Sequence, residues 1–335
     1  MQNTLMQGAK KIVEACLNIL PGEKVLIITD FATERNIAQA LREAASERDA
    51  QVSILTVEPG KMPGEEPSEL IRIAMEHSDV IMAATRRTIM HSEAATSACR
   101  KGARLFTLTE CTEETLRSGA IEADFSALLP VFEQLCAVFD KGNSVHVTTR
   151  HGTDIRLSIT GRKTMACTGI CTSPGDKMGF PDAEVYIAPI EDSTEGILVV
   201  DASSSEIGLI REPIVITVVR GKVSKIEGGE EARKLKDILQ AANDEGAMVV
   251  AEFAFGLNYM GNVVGNIIED EGVYGTGHFA LGNNLHFGGT NRSSIHIDMV
   301  YWKPTIEVDG EIVLKDGVLA HEYRIPELEM KEAAQ

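Results

Sequence analysis

The sequence predicts an α/β fold in two parts: an amino-terminal doubly wound parallel sheet over residues 1–141, then an α+β, strand-rich domain over 142–335. Three observations predict it. Lys24-Val25-Leu26-Ile27-Ile28-Thr29-Asp30 is almost continuously apolar, as a central parallel strand covered on both faces must be. Helix-period and strand-period segments then alternate as far as residue 108, which is the βαβ rhythm of a parallel sheet. Beyond Asp140-Lys141-Gly142-Asn143 the dominant period becomes two.

Taken in order, an apolar-periodic helix over 5–20 stops at Pro21-Gly22 and leads into the strand 24–30. A helix over 33–48, a strand over 51–57, a helix over 67–77 and a strand over 79–83 follow. A further helix over 92–101 ends at Gly102, before the strand 104–108. Asp30-Phe31-Ala32-Thr33-Glu34 stands where a dinucleotide-binding turn would need glycines, and no P-loop lysine pattern occurs, so no nucleotide is expected. A helix over 125–139 closes the first domain. In the second, 144–149 and 154–160 form a hairpin around Arg150-His151-Gly152-Thr153. Residues 214–226 read as two strands turning at Gly221, and 230–242 as the long helix. The polar tail after Pro326 is expected to fray.

Composition excludes several classes. An apolar share of 44% with 24% charged residues is that of a water-soluble chain, and no run of about 18 or more apolar residues offers a membrane span. The first residues lack the apolar core of a secretion signal, so a cytoplasmic location is expected. The six cysteines are dispersed, and Cys167 and Cys171 read as buried small residues, because no second pair or nearby histidine completes a zinc ribbon. A formal net charge of -18 without a basic stripe argues against nucleic acid as a partner.

Four segments carry chemistry. In Ser294-Ile295-His296-Ile297-Asp298-Met299, alternation sends His296 and Asp298 to one strand face and Ile295, Ile297 and Met299 to the other. An imidazole and a carboxylate so placed form either a pair of metal ligands or a hydrogen-bonded structural pair. His278 lies between glycines in Gly277-His278-Phe279-Ala280-Leu281-Gly282, where the backbone can approach a site closely. Glu252 is one acid inside the apolar run Val249-Val250-Ala251-Glu252-Phe253-Ala254-Phe255, costly to bury unless paired or metal-bound. Glu184, in Phe180-Pro181-Asp182-Ala183-Glu184-Val185-Tyr186, is the fourth.

In this order, and with Thr194-Glu195-Gly196 and the early Leu20-Pro21-Gly22-Glu23-Lys24-Val25, these segments resemble the aminopeptidase T/aminopeptidase S family of metallopeptidases. The resemblance implies five metal-ligand positions, Glu184, Glu252, His278, His296 and Asp298. It also implies one or two divalent ions (zinc, cobalt or manganese), a homodimer, and a small peptide or small molecule as substrate. A metal-activated water would attack the substrate carbonyl, with Glu184 or Glu252 as its base. This chain departs from the peptidases at Leu285, where they carry a tyrosine, and in a shorter gap between His278 and His296. A shorter branch, similar to 2,5-dihydroxypyridine 5,6-dioxygenase, implies instead one ferrous iron on His278, His296 and Asp298. Arg86-Arg87-Thr88-Ile89-Met90-His91-Ser92-Glu93-Ala94 resembles that branch, with His91 as a base or simply the start of a helix capped by Ser92. The expected function is aminopeptidase hydrolysis, with ring-cleaving oxygenation as the alternative.

Overall fold

The parallel sheet forms around the strand Lys24–Asp30, which pairs with Gln51–Val57 on one side and Val80–Ala84 on the other. The computed structural model describes residues 4–325, so the tail expected to fray lies outside the described residues. Arg104–Thr107 continues the sheet beside Val80–Ala84. All these pairings are parallel, and the helices Arg35–Ser46, Glu69–Glu76 and Glu93–Arg100 make the connections. Leu26, Ile28, Ile81, Ala83 and Leu105 are buried against Met75, Ala94, Ala95 and Ala98. The α/β reading of this part therefore holds.

Two local expectations change. The first helix runs over Leu5–Lys11, widens into a π-turn over Ile12–Cys16 and ends where Asn18 takes a left-handed φ of 44°, ahead of Pro21-Gly22. A fifth parallel strand, Lys177–Gly179, joins the sheet edge beside Arg104–Thr107. Its three residues, Lys-Met-Gly, carry no period that a sequence reading can detect.

The chain divides into two compact units, Met1–Ser126 with Cys167–Asp182, and Ala127–Ala166 with Ala183–Gln335. Most of the helix Phe125–Lys141, assigned above to the first domain, belongs to the second unit. The reason is aromatic: Phe139 packs on Phe253 and Phe255 at ring-centroid distances of 6.2 and 5.6 Å. Among the described residues, no helix is long and apolar enough to cross a membrane.

The second unit contains two sheets. The eight-stranded one includes the antiparallel hairpins Ser144–Thr148 with Asp154–Ser158 and Ile214–Val219 with Lys222–Glu227, both where the alternation placed them. The helix Glu230–Ala242 ends at Asn243 in left-handed conformation. The seven-stranded sheet has at its centre the antiparallel strands Glu184–Ile187, Val250–Gly256, Thr276–Gly282 and His296–Trp302. One face of these four is apolar, with Phe253, Phe279 and Tyr301 packed in sequence at centroid distances of 5.3 and 5.9 Å. The other face carries the polar residues described next.

Candidate metal centre

Alternation along four adjacent strands sends Glu184, Glu252, His278, His296 and Asp298 to the same face. The register also gives each of them a small neighbour across the ladder. Glu184 faces Gly256, His278 faces Ala254, Glu252 and Asp298 both face Ala280, and His296 faces Gly282. Long polar side chains thus converge over a floor of glycine and alanine. At Gly256 the missing Cβ is also a packing requirement, since a Cβ there would lie 2.3 Å from the Gly272 carbonyl carbon.

The convergence is close. His296 Nε2 lies 3.1 Å from both Glu252 Oε2 and Asp298 Oδ1, and His278 Nε2 lies 3.4 Å from Glu184 Oε2. Ligand atoms of Glu184, Glu252 and His278 fall within 4.8 Å of one another, as do those of Glu252, His296 and Asp298. A third group joins His278 and Asp298 to Glu271. Glu252 and Asp298 therefore each stand within ligand reach of both histidines.

Burial sets the electrostatics. Burial works to lower the pKa of His296, but the charge and hydrogen bond of Asp298, with Glu252 beside it, raise it well above the ordinary imidazole value. Burial likewise works to raise Asp298, and the His296 charge overrides it, leaving that carboxyl below its usual range. His278 shifts the other way: it is 1% exposed, and burial lowers its pKa against the pull of Glu252 and Asp298.

The donors fit a divalent cation. Among the described residues, Glu252 and Asp298 are ion-paired only to His296, with no lysine or arginine beside them, and buried carboxylates of this kind require a compensating charge. His278 is buried with its Nε2 toward Glu184 and the Glu271 backbone beside its ring. A set of carboxylate oxygens and imidazole nitrogens suits zinc, cobalt, manganese or ferrous iron.

Surrounding groups hold the donors in place. Ser205 Oγ donates to Asp298 Oδ2 at 3.0 Å and accepts from the Asp298 amide at 3.0 Å, leaving Oδ1 to face His296. His296 Nδ1 donates to the Asn283 carbonyl at 2.8 Å, which turns Nε2 toward the carboxylates. The same loop lays Phe287 against His296 at 5.0 Å, and Tyr186 meets Phe287 edge-on at 5.6 Å. Arg162 pins this loop: it donates to the Gly288 carbonyl and pairs with Glu191, which accepts from Asn284 Nδ2 and the Thr290 amide.

Sequence reasoning missed Glu271, Ser205 and Phe287. Glu271 sits in Glu269-Asp270-Glu271, which resembles any solvated acidic turn, and the run Ser203-Ser204-Ser205 was the one visible hint of a polar support. His91 belongs to the other unit, exposed just before Ser92, whose hydroxyl caps the helix Glu93–Arg100. Leu285 is 40% exposed on a short 3-10 turn, and Cys167 and Cys171 are buried as expected.

Known proteins resemble this chain over most of its length. The family described as NicX, 2,5-dihydroxypyridine 5,6-dioxygenase, matches residues 4–321. The 2,5-dihydroxypyridine 5,6-dioxygenase of Pseudomonas putida is 24% identical over 262 residues, 74% of this chain and 73% of that protein. The solved structure of 2,5-dihydroxypyridine dioxygenase from Pseudomonas putida KT2440 superposes with a TM-score of 0.81 at 20% identity, covering 96% of this chain and 98% of that one. Wild-type AmpT from Thermus thermophilus superposes with a TM-score of 0.70 at 16% identity, covering 94% and 98%. The likeness to AmpT extends to the two-part fold and no further.

These findings correct the aminopeptidase expectation, and with it the description of the chain as a hydrolase or protease. The error has a physical source. A carboxylate and imidazole set serves a hydrolytic ion and an oxygen-activating one equally well, so the five donors could not discriminate. The departures at Leu285 and in the shortened 278–296 gap were the better guide. By its match over residues 4–321, the chain belongs to the 2,5-dihydroxypyridine 5,6-dioxygenase family.

Proposed function

We propose that the protein is a ferrous-iron dioxygenase that opens a dihydroxylated aromatic ring of the 2,5-dihydroxypyridine type. The observation that carries this reading is that Asp298 lies within ligand reach of both His278 and His296 on one sheet face. Two imidazoles and one carboxylate are the donor set that leaves coordination positions open on ferrous iron. Iron bound there would supply the electron transfer that dioxygen needs to react with a chelated ring.

The remaining work belongs to the chain's own residues. Asn283 holds the proton on His296 Nδ1, so Nε2 is free to donate its lone pair. Ser205 orients Asp298. Glu184 and Glu252, not required by the three-residue set, are the groups positioned to accept a proton from a ring hydroxyl. Phe287 and Tyr186 offer aromatic surface beside the donors, against which a planar ring can pack.

The test is anaerobic reconstitution with ferrous iron, metal counting, and an oxygen electrode. One iron per chain and oxygen consumption dependent on 2,5-dihydroxypyridine or a close analogue are expected. An iron-loaded protein that consumes no oxygen with any such ring would reject the reading. We also propose a homodimer, two-fold symmetry being the commonest arrangement of soluble oligomers. Light scattering at micromolar concentration should give twice the chain mass, and a monomer mass would refute it.

A further inference from the structure

We propose that Asp270 is a positioning residue for the metal centre, a single buried carboxylate that fixes both the backbone behind His278 and the strand behind Asp298. The inference rests on the metal reading above and adds a residue outside the donor set.

Asp270 closes the short helix Ile267–Asp270 and is fully buried. Its carboxylate accepts from the Val264 amide at 2.7 Å and the Gly265 amide at 2.9 Å, with the Asn266 amide and the Ser203 side chain also facing it. Burial raises the pKa of this carboxyl, and those hydrogen bonds oppose the rise. No lysine or arginine is among the opposing groups. A charge kept in the interior on neutral donors alone is costly, and an asparagine would serve a purely structural turn at less cost.

Two lines of support for the donors start at this carboxylate. The first runs through the next residue in the chain. Glu271 donates its amide to the Ile267 carbonyl at 3.0 Å and sets its own backbone beside the His278 ring, where it works against the lowering of that imidazole by burial. A backbone group on one side of an imidazole fixes its tautomer and aims the other nitrogen, and here Nε2 is the one directed at Glu184. The second line runs through Gly265, whose amide Asp270 holds. Gly265 packs so closely on Leu209 that an added Cβ would lie 3.1 Å from Leu209 Cγ. The strand Gly208–Leu209 pairs with Ser203–Ser204, which pairs in turn with His296–Trp302. Ser204 Oγ donates to the Asp298 carbonyl at 2.8 Å, and Ser205 Oγ to the Asp298 carboxylate at 3.0 Å. Loss of the Asp270 charge therefore loosens the backing of two donors that no sequence pattern connects to it.

Asp270→Asn, which keeps the size and removes the charge, tests this with the full chain and no substrate. Metal-free protein is titrated calorimetrically with manganous ion, and the cobaltous form is examined by visible absorption, with His296→Ala run alongside. Asp309→Asn serves as the control, because Asp309 also holds backbone amides, those of Asn143 and Ser144, in the same unit. Asp270→Asn should bind manganous ion about 10- to 100-fold more weakly, the range for groups that orient metal ligands, and its cobalt bands should shift. Asp309→Asn should keep wild-type affinity and spectrum. Wild-type affinity and an unchanged cobalt spectrum in Asp270→Asn, with binding lost in His296→Ala, would reduce Asp270 to a loop anchor and leave the centre standing. An equal loss in Asp309→Asn would also reject the proposal, since any weakened anchor would then suffice. A wild-type protein that binds neither ion would overturn the metal reading and this inference together. If Asp270→Asn fails to fold, Ser203→Ala takes its place: a smaller loss of affinity with shifted cobalt bands is expected, and undiminished binding rejects the proposal.

Discussion

On the proposed metal reading, His296→Ala and Asp298→Ala should each abolish retention of a divalent ion while leaving the parallel-sheet unit folded. Both residues project from one strand of the seven-stranded sheet, and neither belongs to the core built on Leu26, Ile28, Ile81 and Leu105. Removing His296 also deprives Glu252 and Asp298 of their shared ion-pair partner. Breaking a buried pair costs roughly 3–5 kcal/mol, to be discounted here because the His296 side chain is 27% exposed. The second unit should therefore lose some stability as well as its metal. Metal content after dialysis, read with circular dichroism and limited proteolysis, separates the two effects. Undiminished metal in both variants would remove these residues from the site.

Ala280→Val should be nearly as damaging to metal binding while adding no charge and removing no donor. Ala280 is fully buried and stands opposite Glu252 on one neighbouring strand and Asp298 on the other. Two extra carbons at that point enter the space between the carboxylates. Overpacking of a well-filled site costs about 1–3 kcal/mol, and much of that should appear as displacement of the donors. A manganous-ion titration should show a large loss of affinity in Ala280→Val and near-normal binding in Ala280→Gly. Equal affinities in the two variants would mean that the donors do not converge over Ala280.

How much of this was readable beforehand depended on whether a local pattern carried the information. The parallel sheet was legible because Lys24–Asp30 must be apolar on both faces. His296 and Asp298 were legible because strand alternation is independent of tertiary context, and Glu252 because an acid among Val, Ala and Phe is conspicuous. Lys177–Gly179 was not, since it is placed by pairing with Arg104–Thr107, a segment distant in sequence. The small residues beneath the donors were visible as letters, but their role appears only with the cross-strand register. Reaction type was the least legible feature, because hydrolytic and oxygen-activating centres draw on the same side chains.

The loop pinned by Arg162 and Glu191 touches His296 twice, through the Asn283 carbonyl and through the Phe287 ring. Proton placement on the ligand and shape of the neighbouring aromatic wall are therefore not independent variables. On the proposed reading, a planar ligand that packed on Phe287 would bias the segment that fixes His296, and an ion that fixed His296 would bias the segment on which the ligand packs. Thermodynamic reciprocity would then make ion and ring each other's effectors, each changing the other's affinity by the same factor. Order of addition would alter the kinetics of loading but not the final occupancy.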